Sequence, residues 1–97
     1  MDPIRFEWNP SKAESNRRKH GVSFEEARTA FADEQAIVID DPDSAEEDRF
    51  ILLGLSATPR LLVVIHCLRE AGSVIRLISA RKATRSERAQ YGARSHE

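Results

Sequence analysis

The sequence predicts an α+β fold, an antiparallel sheet of about four to five strands packed against an N-terminal helical hairpin, with a C-terminal helix. Two capped helical segments follow one another directly near the start, and the second half alternates β-rich runs with loops of hairpin length. The size agrees with this, since 97 residues at 40% apolar and 32% charged suit one domain over 1–97 with one hydrophobic core. The order is βαα, then four strands, then α.

Ile4-Arg5-Phe6-Glu7-Trp8 alternates apolar and charged residues, the period of a half-buried strand. Asn9-Pro10 supplies an N-cap and a proline at the first helical position, and Gly21 a left-handed stop, so a helix is expected over Pro10 to His20. Ser23-Phe24-Glu25-Glu26 reads as a capping box in which Glu26 reaches back to Ser23. The second helix it opens has Phe24, Ala27, Ala30 and Phe31 on one face and should end near Ala32 or Asp33.

Ala36 to Ile39 is a short β-branched run, and residues 40–48 carry six acids in nine positions, a solvated loop. Arg49 to Leu55, Arg60 to Leu68 and Ser73 to Arg81 read as a meander joined by Ser56-Ala57-Thr58-Pro59 and Arg69-Glu70-Ala71-Gly72. Thr84, with Glu87 three residues on, caps a last helix to about Tyr91. Strict alternation places Ile75, Leu77, Ser79 and Arg81 on one face and Val74, Arg76, Ile78 and Ala80 on the other, so Arg76 and Arg81 should point in opposite directions. His66 should share a face with Leu62 and Val64.

Several function classes drop out. The longest apolar run, Leu61 to Ile65, is far short of a membrane span, and Met-Asp-Pro-Ile-Arg lacks a secretory pattern, so a cytoplasmic location is the default expectation. One cysteine, Cys67, allows no internal disulfide and no cysteine-based zinc site. It reads as a small core residue, and adjacent strand positions face opposite ways, so His66 and Cys67 cannot act as a couple. There is no Gly-rich phosphate loop, no His-x-x-x-His pair and no Gly-x-Ser-x-Gly elbow. Neither a cofactor nor a metal is expected.

Charge is informative in its distribution. Residues 1–48 carry 6 basic against 13 acidic residues, net −7, and residues 49–97 carry 9 against 3, net +6, although the whole chain is at −1. Twelve of the 15 cations are Arg, whose planar fork grips phosphate in pairs of hydrogen bonds. The skew fits phosphate recognition; genome base composition would produce it as well.

The basic set comprises Lys19 and His20 at the end of the first helix, Arg60, Arg69, Arg76 and Arg81 on or beside strands, then Lys82, Arg85 and Arg88. Cleaving an RNA phosphodiester requires cations for the charge gathering on phosphorus, a base for the 2′-hydroxyl and an acid for the leaving oxygen. His20 suits proton transfer, and equally a capping cation at a helix C-terminus. Glu87 and Tyr91 read either as base and acid or, for Tyr91, as an aromatic anchor.

Phe6-Glu7-Trp8-Asn9-Pro10 with Lys12-Ala13 and Asn16, then Lys19-His20-Gly21-Val22-Ser23-Phe24-Glu25-Glu26-Ala27, resembles the N-terminal signature of BrnT-family toxins. Arg49-Phe50, Gly54, Arg60-Leu61-Leu62-Val63-Val64, the run Arg76 to Thr84, Glu87 and Tyr91 are similar to the family's closing pattern. Asn9 stands where the family usually has Asp, and Pro59 where Gly is common; both changes read as structural. The resemblance implies a RelE-like fold and ribonuclease activity that halts translation. It also implies a BrnA-type antitoxin, with promoter DNA bound only through the antitoxin complex; from the short apolar runs no membrane partner is expected. It places catalytic weight on His20, Arg60, Arg76 and Arg81, the three arginines gathered on the scissile phosphate. RNA contacts are expected from Lys19, Lys82, Glu87 and Tyr91, and, from the basic set alone, from Arg69 and Arg85. A non-enzymatic nucleic-acid-binding subunit and an inactive toxin homologue are the alternatives.

Overall fold

The computed structural model describes residues 4–43 and 48–95. Strand β1 (Arg5–Glu7) leads into helix α1 (Pro10–His20) and helix α2 (Phe24–Thr29), which runs on as a 3₁₀ turn, Ala30–Ala32. Strands β2 (Ile37–Asp40), β3 (Phe50–Leu55), β4 (Leu61–Arg69) and β5 (Val74–Lys82) follow, then helix α3 (Arg85–Ser95). The expected elements are all present, each within a few residues of its anticipated ends. The acidic stretch 40–48 is described only in part, since residues 44–47 lie outside the described set.

The five strands form one sheet in the order β1-β5-β4-β3-β2. The meander β2 to β5 is antiparallel as expected, but β1 joins the β5 edge in parallel, Phe6 opposite Ile75, so the sheet is mixed. A parallel neighbour requires a long connection, and here everything from α1 to β4 lies between the two strands.

Capping follows the sequence closely at α1. The Asn9 side chain accepts from the Ser11 and Lys12 backbone N–H groups, Pro10 opens the helix, and Gly21 at φ 70° closes it with its N–H on the Arg17 carbonyl. Buried Asn16 ties α1 to β5, donating to the Ala80 and Val22 carbonyls and accepting from the Ala80 N–H. At α2 the Ser23 hydroxyl accepts from the Glu26 N–H at 3.0 Å, but the expected return bond is absent. The Glu26 carboxylate turns instead to β4, where a full cation outweighs one more backbone N–H.

On the helix side of the sheet Phe24, Leu62, Val64, Leu77 and Ala80 pack with Val22 and Ala27, flanked by Phe6, Trp8 and Phe31. Gly54 lies under this layer; a Cβ there would stand 2.9 Å from the Ala30 carbonyl oxygen, so the close approach of the 3₁₀ turn to β3 excludes any larger residue. His66 shares the face of Leu62 and Val64 as expected, buried edge-on to Phe31, and burial pushes its pKa down. The opposite face carries a smaller cluster, Leu53, Val63 and Ala83 with Ile37 and Tyr91, covered by α3.

One expectation about faces fails. Ile65 pairs with Ser79 but His66 with Leu77, so Ile78 is an extra residue on β5, a bulge. Leu77 and Ala80 thus both enter the helix-side core although three positions apart. Past the bulge every side chain is inverted relative to strict alternation, and Arg81 emerges on the same face as Arg76.

Candidate active site

Arg60 precedes β4, and its guanidinium is fixed from several directions. Nε donates to Glu26 Oε2 at 2.7 Å, and Nη2 to Glu26 Oε1 at 2.6 Å and to the Gly21 carbonyl at 2.9 Å. The bond to Gly21 sets Arg60 against the residue that follows His20. Ser56 and Thr58 hydroxyls also donate to Glu26 Oε2, at 2.7 and 2.6 Å, so the loop that ends in Arg60 closes around the same carboxylate. Arg60 first, then the two hydroxyls, hold the Glu26 carboxyl down to about 2 against the pull of burial.

α1 runs towards the sheet end where β4 begins and β5 finishes. Asn16 bonds to Ala80, Gly21 to Arg60, and Lys82 faces the helices opposite Leu62. Lys19, His20, Arg60 and Lys82 therefore share one end of the helix side. Lys19 is exposed and His20 half-buried, and neither makes a side-chain hydrogen bond or ion pair among the described residues.

Arg81 lies at the same end but on the opposite face. It donates through Nη1 and Nη2 to the two oxygens of Glu87, at 2.8 and 2.9 Å, and to the Lys82 carbonyl. Arg81, then the Thr84 N–H, holds the Glu87 carboxyl at about 2, after burial is opposed. Thr84 and Glu87 exchange hydrogen bonds as the capping box that opens α3. Tyr91 donates its hydroxyl to Asp33 at 2.6 Å, which pushes the phenol up to about 12. Burial works against the Asp33 carboxylate, but that hydroxyl and the Leu55 and Gln35 N–H groups bring its pKa below the usual value. Glu87 and Tyr91 thus spend their polar atoms inside the chain, and Tyr91 anchors α3.

Arg76 pairs with Glu7 across the parallel strand pair, and Arg69 lies 3.8 Å from the same carboxylate. These two occupy the far half of the face that bears Arg81. Arg85 is exposed at the start of α3. The structure gathers Lys19, His20, Arg60 and Lys82 at one sheet end, adds Arg81 across the sheet, and leaves Arg69 and Arg76 further away. It does not bring Arg60, Arg76 and Arg81 to one point.

Sequence reasoning missed Glu26, Asp33, Ser56 and Thr58. Glu26 was visible only as a capping residue, because a carboxylate in a first helical turn satisfies that role fully. Nothing in the sequence pairs Asp33 with Tyr91, 58 positions away. Among the described residues no group of three His, Cys, Asp or Glu is placed to hold a metal ion, and no helix is long and apolar enough to cross a membrane.

The model of a family described as ribonuclease toxin, BrnT, of type II toxin–antitoxin systems matches residues 8–87. The chain belongs to the BrnT family. In fold it resembles the Brucella abortus ribonuclease toxin BrnT, solved by crystallography at 1.1 Å, with a TM-score of 0.65 at 21% identity over 84% of this chain and 99% of that one. No curated protein matches. The BrnT match begins at Trp8 and ends at Glu87, so it spans the Lys19-His20 pair, Arg60, Arg76 and Arg81, and includes Glu26 and Glu87, which hold Arg60 and Arg81, while Glu7, the partner of Arg76, lies just before it.

Proposed function

We propose that this BrnT-family chain is a metal-independent endoribonuclease toxin that inhibits translation by cutting RNA and is neutralised by a BrnA-type antitoxin. Promoter DNA is bound only through the toxin–antitoxin complex. One observation supports the site assignment: Arg60, held by Glu26, also bonds to the carbonyl of Gly21, so a fixed guanidinium lies at the end of α1 that carries the Lys19 ammonium and the His20 imidazole. That is the set a phosphodiester transfer requires.

The 2′-hydroxyl of RNA is the nucleophile, so the protein need only manage protons and charge. His20 takes the hydroxyl proton as the 2′-oxygen attacks phosphorus, Arg60 and Lys82 balance the charge on the non-bridging oxygens, and Lys19 offers a proton to the departing 5′-oxygen. The products are a 2′,3′-cyclic phosphate and a free 5′-hydroxyl. Arg81 and Arg85 grip phosphates where the strand passes over the end of the sheet, and Arg69 and Arg76 extend that track along the opposite face. Glu87 contributes by fixing Arg81, and Tyr91 by anchoring α3.

Expression in cells without antitoxin, followed by mapping of total RNA ends, tests this reading. Growth arrest with new 5′-hydroxyl ends, abolished by Arg60→Ala and relieved by co-expressed antitoxin, is the expected result. Arrest without new RNA ends would favour a subunit that binds nucleic acid only, and a folded chain causing neither would be an inactive homologue.

A further inference from the structure

We propose that Glu26 is a positioning residue for the cleavage reaction, orienting Arg60 so that its Nη1 edge is presented to the scissile phosphate. This rests on the reading of Arg60 given above. The Nε–Nη2 edge of the guanidinium is fully occupied by Glu26 and the Gly21 carbonyl, whereas Nη1 makes no hydrogen bond among the described residues. Arg60 keeps 34% of its side chain exposed against 11% for Glu26, so the carboxylate is the more buried member of the pair. Ser56 and Thr58 hold Glu26 in turn, and the Ser56 N–H closes onto the Arg60 carbonyl at 2.9 Å, which stiffens the loop.

The physical consequence is preorganisation. A long flexible side chain is locked before substrate arrives, so the ordering cost is not charged to the transition state. The same carboxylate cancels much of the local positive charge, so it adds nothing to ground-state attraction for RNA. Its loss should therefore lower kcat while leaving KM unchanged or reducing it, which is the reverse of what a simple phosphate-binding residue shows.

The test is a double-variant cycle on the purified chain, with steady-state cleavage of an RNA oligonucleotide and thermal melts alongside. Glu26→Gln should lower kcat by ~10- to 100-fold with KM no higher than in the parent chain. Glu26→Asp should recover part of that loss, and Glu26→Gln should cost nothing more in an Arg60→Ala background. Equal losses in the two backgrounds, or a rise in KM with kcat intact, would overturn the proposal. So would a loss of activity that merely tracks the fraction unfolded in the melts. If Arg60→Ala itself cuts RNA at the parent rate, the assignment of Arg60 fails, and that result is read from the single variant alone.

Discussion

Arg76 and Arg81, five positions apart on β5, extend from the same face of the sheet because Ile78 stands between them as an extra residue. Without the bulge one of them would be directed into the helix-side core. With it, both lie on the side that carries α3, roughly 13 Å apart along the strand. Each is backed by a carboxylate, Glu7 for Arg76 and Glu87 for Arg81.

This arrangement predicts a phosphate track. Binding of a 2′-deoxy oligonucleotide, which lacks the nucleophile, should weaken with salt, and Arg81→Ala should flatten the plot of log affinity against log salt by ~0.7. Arg76→Ala should have the same sign. A slope untouched by either substitution would remove the track from the account.

Glu26 and Glu87 titrate at about 2 in the folded chain against an ordinary value of 4.5. Their folded pKa values are depressed, so the stability they add is fully present above about pH 5 and is lost as pH falls towards 2. Solvent screens the exposed parts of Arg60 and Arg81, which leaves on the order of 1–2 kcal/mol from each pair. Urea midpoints should be flat in this respect above pH 5 and fall below it, and the Glu26→Gln, Glu87→Gln double variant should lose much of that acid dependence.

Asn16 is the polar link between α1 and the sheet, satisfying the Ala80 N–H and two carbonyls at 7% exposure. Asn16→Leu keeps the branching at Cγ but strands those groups, and unfolding should become easier by ~2–4 kcal/mol. Denaturant unfolding measures this; a change under 0.5 kcal/mol, roughly the surface-substitution range, would show that the link is dispensable.

The single tyrosine gives a direct optical readout. Tyr91 should ionise at about 12 because its hydroxyl is held by Asp33, and Asp33→Asn should bring the phenolate absorbance midpoint down towards 10. Tyr91→Phe should cost ~1–3 kcal/mol in stability while leaving RNA cleavage rates near the parent value. A large loss of cleavage in a fully folded Tyr91→Phe chain would place the hydroxyl in the chemistry instead.

Much of the fold was legible from local signals because local physics decides those features. Asn9-Pro10, Gly21, Ser23 and Thr84 mark helix ends through short-range hydrogen bonds, and the runs in β3, β4 and β5 show their burial directly. The parallel pairing of β1 with β5 was not legible, since it joins Phe6 to Ile75 across almost the whole chain. Nor was the bulge, because Ile78 is as good a strand residue as its neighbours and only cross-strand register exposes it. The cationic residues of the site were identifiable by type and by family resemblance. Their pairing with Glu26, Glu87 and Glu7 was not, because each of these carboxylates already had a sufficient local role in cap or strand.

The most direct measurement is cleavage of a defined RNA by the purified chain in the presence of a strong chelator, with the new ends identified chemically. Fragments ending in 2′,3′-cyclic phosphate are expected from the parent chain, and a rate lower by ~10² or more for Arg60→Ala. RNA left intact by a folded parent chain, or cut only when a divalent cation is restored, would contradict it.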